Sequence, residues 1–279
     1  MLHALILVVT LPSVAALRLT VPRTPTEMVD MAAAAVSAAR ETGKNRLVVD
    51  LIVPQLDSEE VYGFFTEGSV PTGFIVKPED LDPWPGGLKQ QYPFAVDLAR
   101  QCLRKVVGAG ASVKDQVVDA EDACGLLIAQ AETAADDVAC LLFPGADQLA
   151  MLEQMDASCG PRTLIVLNKQ FRRPADFGLN RGRADAAFFD RGFETAYALE
   201  EFACRGEDVK LVGAFPSQWK AFVFLNDADT EGSPLFGGEA LTERPTYAEL
   251  EREINRAYPT PRWARKLDEV DEKGLNFRR

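Results

Sequence analysis

The densest chemistry in this chain lies in one run, Asn168-Lys169-Gln-Phe-Arg172-Arg173-Pro-Ala-Asp176-Phe-Gly-Leu-Asn-Arg181-Gly-Arg183. Five cations and one carboxylate give it a local charge of +4 in a chain whose net charge is −12. Guanidinium forks match phosphate and carboxylate oxygens in pairs. The run follows an apolar segment, Thr163–Asn168, that reads as a strand. In open α/β sheets ligands bind beyond the carboxyl ends of strands. Asn168, Arg172, Arg173, Arg181 and Arg183 are therefore the candidate residues for binding an anion or docking a partner. The competing reading is a solvated loop whose arginines pair with the acidic surface around them.

Asp50 is the second place to look, because it interrupts the apolar stretch Arg46–Val53. An isolated ionised carboxylate inside a strand is costly, so it has to be paired, protonated or at a sheet edge. No second carboxylate stands close to it in sequence, so it is not assigned acid–base work. Gly108-Ala-Gly110-Ala-Ser-Val113 begins like a dinucleotide loop but has Val113 at the third glycine position and follows a helix, so it reads as a helix-terminating loop. Asp227-Ala-Asp229-Thr-Glu231-Gly232 imitates the start of a calcium loop, yet position twelve is Gly238, so it reads as an acidic turn. Phe188, Phe189, Phe193 and Tyr197 follow near-helical spacing and read as core. No catalytic residue, metal site or cofactor is assigned.

Composition closes several classes. The only histidine is His3, inside the expected leader of residues 1–16 and just before its apolar run Ala4–Ala16, so a processed chain would have none. That removes Ser–His–Asp catalysis, His-ligated zinc and the two-histidine iron site. No P-loop pattern is present, which excludes that route to phosphoryl transfer. The acidic balance argues against nucleic-acid binding, and allows at most peripheral membrane contact through a local basic patch. Five well-separated cysteines cannot all pair and read as buried thiols. Residues 1–16 read as a cleaved targeting signal, with Ser13-Val14-Ala15-Ala16 suiting a signal peptidase.

These residues need a scaffold. Thr24-Pro25-Thr26-Glu27 reads as a capped helix start, followed by an alanine-rich helix to about Thr42 with Met28, Met31, Ala35, Val36 and Ala39 on one stripe, and stopped by Gly43. Arg46–Val53 reads as a strand buried on both faces. Val70–Pro93 reads as a long Pro/Gly-rich loop and Phe94–Val107 as a helix. Val113–Val118, Gly125–Ala129, Val138–Phe143 and Thr163–Asn168 are further strands, with a helix over 146–157. Alternation of strands and helices predicts a Rossmann-like, mainly parallel α/β sheet. Tyr197–Cys204, Val209–Phe215 and Trp219–Leu225 predict an antiparallel meander extending that sheet. A helix over Tyr247–Ala257 precedes a charged tail. The expected organisation is one α/β domain over 24–258, with the tail at 259–279.

Several segments together resemble a plant and algal domain family of unknown biochemical function. They are Thr24-Pro25-Thr26-Glu27-Met28, Gly43-Lys-Asn-Arg46-Leu-Val-Val-Asp50, Leu164-Ile-Val-Leu-Asn168, Phe193-Glu-Thr-Ala-Tyr197 and Phe215-Pro216-Ser-Gln-Trp219. That family includes the low photosystem II accumulation proteins and the C-terminal domain of a chloroplast adenylate kinase. The resemblance covers about residues 24–226. It implies a plastid protein, soluble or thylakoid-associated, and an auxiliary role in photosystem II assembly or thylakoid protein biogenesis. The leader is compatible with the first half of a bipartite plastid signal. No catalytic residues are implied, and without a P-loop neither is adenylate kinase activity. The expectation is a plastid binding factor docking a plastid or thylakoid protein through the basic loop. The rival expectation is a small-molecule α/β enzyme acting on a phosphate or carboxylate substrate. A third is a secreted lumenal protein.

Overall fold

Thr24 opens the first helix as its pattern predicts. Its hydroxyl accepts a hydrogen bond from the Glu27 N–H (3.1 Å), while the Glu27 carboxylate accepts one from the Arg23 N–H (2.8 Å). The helix, α1, spans Pro25–Glu41 and buries Met28, Val29, Ala32, Ala35, Val36 and Ala39. It ends in a Schellman turn: Gly43 at φ +81° donates to the Arg40 carbonyl (2.9 Å) and Lys44 to that of Ala39 (3.0 Å). The structure is a computed structural model that describes residues 19–53, 87–226, 229 and 231–272. The expected leader, most of the expected 70–93 loop and three residues of the 227–232 acidic turn lie outside the described residues.

The strands are β1 (Arg46–Asp50), β2 (Ser112–Asp119), β3 (Cys124–Gln130), β4 (Val138–Leu142), β5 (Thr163–Leu167), β6 (Glu194–Cys204), β7 (Glu207–Ala214), β8 (Gln218–Phe224) and β9 (Ser233–Pro234). They form one nine-stranded sheet in the order β2-β3-β4-β5-β1-β6-β7-β8-β9. The Rossmann-like α/β architecture and the C-terminal antiparallel meander are as expected. The parallel part is narrower than the mainly parallel sheet expected: it is the central block β4-β5-β1-β6, while β2–β3 and β3–β4 pair antiparallel, as the meander does.

Helix α1 and α2 (Leu88–Val107) cover one face of the sheet, where Leu47, Val49, Leu127, Cys140, Ile165 and Tyr197 meet Val36, Leu98 and Leu103 in one core. Helix α3 (Leu149–Cys159) and the segment from Phe171 to Phe193 cover the other face over β4, β5 and β1. Helix α5 (Tyr247–Ala257) covers that face over the meander. The segment between β5 and β6 consists of 3₁₀ turns (Pro174–Asn180), a single α turn, α4 (Arg181–Ala184), and a π turn (Asp185–Phe189). The charged tail carries a further helix, α6 (Arg262–Glu272), tied to β7 by Arg262–Asp208 (2.5 Å) and Arg265–Glu207 (2.7 Å).

Two expectations are corrected. Helix α2 begins at Leu88, so Leu88–Pro93 is helical rather than the end of a loop, and Pro93 lies inside the helix. A proline that early forfeits one backbone hydrogen bond, which the burial of Phe94, Val96, Leu98 and Leu103 outweighs. Tyr197 also does not share a face with Phe188, Phe189 and Phe193. It lies in β6 and points into the α1–α2 layer, while the phenylalanines pack on the opposite face. Their spacing imitated a helix across a π turn and a strand.

Candidate functional site

Strands β1 and β5 are parallel neighbours, and the chain leaves them on opposite faces of the sheet. Leu51 and Val53 after β1 pack with α2 on one side, and the 171–193 segment after β5 packs on the other. The carboxyl ends of strands that diverge in this way are the place where α/β sheets present ligand-binding groups. The residues that follow the strands here have unusual backbones: Phe143 after β4 and Asn168 after β5 sit at φ +53° and +52°. Asn168 tolerates that region better than most side chains.

Asn168 serves the backbone. Its N–H donates to the Val49 carbonyl (2.9 Å), its Oδ1 accepts from the Leu51 N–H (2.6 Å), and its Nδ2 donates to the Leu51 carbonyl (2.9 Å). The carboxamide thus prolongs the β1–β5 ladder by one rung after the strands part. Both ends of the amide that was a candidate for ligand binding are engaged.

Beside this clip, Asp50 and Lys169 form an ion pair of 3.2 Å, both about three-quarters buried. Burial pushes the Asp50 carboxyl above the usual aspartate range; Lys169 and Arg172 pull it back, and Glu200 pushes it further up. Glu200 in turn takes both arms of the Arg244 fork (2.8 and 2.5 Å). Positive and negative groups therefore alternate across the ends of β5, β1 and β6. The expectation that Asp50 must find a partner holds. The partner, Lys169, is the first cation of the basic run.

The rest of that run is a rigid platform. The Asp176 Oδ2 accepts from the Arg172 and Arg173 N–H groups (2.8 and 3.1 Å), and these backbone bonds hold the Asp176 carboxyl below its usual range. Phe171 lies buried underneath, edge-on to Phe177 (4.7 Å between centroids) and Phe188 (4.9 Å), with Phe189 and Phe193 completing the cluster. Arg173 pairs with Asp176 (3.2 Å) and Arg183 with Glu153 (2.5 Å). The exposed guanidinium groups of Arg172 and Arg181 make no hydrogen bond or ion pair among the described residues. Leu179, between them, is fully exposed at 105% of its reference area. It drew no attention in the sequence, because a single leucine in a loop carries no periodic signal.

The opposite end of the strands holds a polar groove of about 490 Å³ lined by Arg40, Lys44, Asn45 and Arg162 among others. Its arginines are engaged. Arg40 donates to Thr163 Oγ1 and to the Val106 and Asp136 carbonyls, and Arg162 to the Cys159 and Ser158 carbonyls. Among the described residues no group of three or more His, Cys, Asp or Glu side chains could hold a metal ion. All five cysteines are buried, and burial pushes the Cys102 and Cys124 thiols up to about 12, which keeps them protonated and weakly nucleophilic at neutral pH. Among the described residues no helix is long and apolar enough to cross a membrane.

A family described as a domain of unknown function, DUF1995, matches residues 22–252. No curated protein and no solved structure matches the chain. With most of its length matched, the chain belongs to this DUF1995 family.

Proposed function

We propose that this protein is a plastid binding factor that docks a partner protein through the segment between β5 and β6, in an auxiliary role in photosystem II assembly or thylakoid protein biogenesis. One observation carries the reading. On a chain of net charge −12, Arg172 and Arg181 stand exposed and without ion-pair partners among the described residues, on a platform whose backbone is already fixed. Exposed cations on an acidic protein select an acidic surface and speed the encounter with it. A fixed platform loses little conformational freedom on binding. The plastid location rests on the resemblance of Thr24–Met28, Gly43–Asp50, Leu164–Asn168, Phe193–Tyr197 and Phe215–Trp219 to plastid proteins.

Proximity labelling in the native cell, with the labelling enzyme at the C-terminus, tests this. Photosystem assembly proteins should be labelled, and the Arg172→Gln/Arg181→Gln variant should lose them. Labelling confined to secretory-pathway proteins would overturn the location, and unchanged labelling by the variant would overturn the docking role of the loop.

A second reading has an observation of its own. The Asp50–Lys169 pair lies at the carboxyl ends of β1 and β5, with the carboxyl pushed upward by burial. Shifted groups at that end of a sheet suit an α/β enzyme acting on a phosphate or carboxylate substrate, bound by Lys169 and Arg172. Lys169→Met and Asp50→Asn would abolish turnover in that case, and would leave partner capture intact in the first.

A further inference from the structure

We infer that Leu179 is the apolar anchor of the docking surface, and that its partner is an acidic protein segment bearing large apolar side chains. This deepens the docking-loop reading and rests on it. Leu179 follows Gly178, whose φ of +53° turns the chain outward, and stands on the 3₁₀ turns fixed by Asp176 and the buried phenylalanine cluster. Among the described residues the other large exposed apolar side chains, Val117, Ile128, Tyr247, Trp263 and Leu267, lie on strands or longer helices. Leu179 alone stands inside the arginine run. An exposed apolar side chain on a run that also presents Arg172 and Arg181, both without ion-pair partners among the described residues, has the makings of a binding hot spot, an anchor desolvated on contact with charges nearby.

Charge complementarity selects the occupant. An acidic segment neutralises Arg172 and Arg181, and only a segment with apolar side chains also covers Leu179. A membrane surface is the less favoured occupant. A flat anionic bilayer would bring the wider acidic surface of a −12 chain within a Debye length, and one leucine supplies little insertion. A protein segment touches the patch alone.

The test uses the full chain with fluorescent polyglutamate and a glutamate–tyrosine copolymer, at low and physiological salt, beside vesicles containing anionic lipid. The copolymer should bind about tenfold tighter than polyglutamate, the order expected for covering one leucine. Leu179→Ser should remove that advantage and leave polyglutamate binding unchanged, while Arg172→Gln/Arg181→Gln should weaken both. Equal binding of the two polymers, or an advantage that survives Leu179→Ser, overturns the anchor and leaves the basic-loop reading standing. Absence of binding to either polymer, or binding indifferent to the arginine variant, overturns both. Vesicle binding that depends on Leu179 and exceeds copolymer binding overturns the protein partner in favour of lipid. The replaced side chains make no bonds among the described residues, and an unchanged unfolding midpoint confirms that the variants fold.

Discussion

The two ends of the parallel strands use arginine in opposite ways. At the amino end Arg46 is 5% exposed and donates to Asp156 and to the Asn45, Arg162, Asp156 and Gly160 carbonyls. Arg40 and Arg162 likewise hold carbonyls at the C-termini of α2 and α3, where helix dipoles favour cations. At the carboxyl end Arg172 and Arg181 hold nothing among the described residues. The same side chain is a structural staple where its donors are engaged and a recognition element where they are not. Counting arginines around a groove therefore misidentifies the site. The polar groove of about 490 Å³ lies at the amino end, where Arg40 and Arg162 are already committed to the fold.

Asp156 provides the largest expected effect. It accepts from both Arg46 and Arg191, so Asp156→Ala leaves the buried Arg46 charge uncompensated. We expect a loss of about 3 kcal/mol in urea unfolding, with polyglutamate binding unchanged. An unchanged midpoint would show that the carbonyls alone hold Arg46. Arg265→Ala removes the partner of Glu207, whose side chain is 1% exposed, and should cost about 2–3 kcal/mol by the same measurement. Full stability in that variant would mean that the buried carboxylate does not depend on Arg265.

At the carboxyl end the expected losses are smaller. Asn168→Ala removes both side-chain bonds to Leu51 and places alanine at φ +52°, costing about 1–3 kcal/mol. If the cost is negligible, the amide does not hold the two strand ends together.

The carboxylates of the two ends should also answer pH with opposite signs. Burial pushes Asp156 up, but hydrogen bonds from Arg191 and Arg46 outweigh it and hold its folded pKa below 3.8. Its contribution is present above the unfolded value and is lost as pH falls through the depressed one. Asp50 is raised above 3.8, chiefly by burial, so the native state binds the extra proton and stability falls as pH rises from 3.8 through the raised value. Carbon-detected NMR titration of the two carboxyls checks this. A common midpoint would dissolve the contrast.

Much of the scaffold could be read from residues. The Thr-Pro-x-Glu start, Gly43, the continuous apolar strands and the Tyr247–Ala257 helix stand where their patterns put them. The antiparallel pairing of β2 with β3 is legible in the spacing. The gap from Asp119 to Cys124 is far too short for a parallel crossover, which takes about a dozen residues. The sheet order could not be read, since β5 lies beside β1 only through tertiary packing. In the site, the cost of a lone charge predicted that Asp50 needs a partner. It could not name Lys169, 119 positions away. Nor could residue type separate Arg173 and Arg183, which are paired, from Arg172 and Arg181, which are not.

The central claim is that the Arg172 and Arg181 side chains serve recognition and make no hydrogen bond or ion pair among the described residues. The most direct test is to measure urea unfolding and polyglutamate binding on the same preparation of the Arg172→Gln/Arg181→Gln variant. The account predicts stability within about 0.5 kcal/mol of the parent and binding lost. A destabilised variant, or one that binds as the parent does, would contradict it.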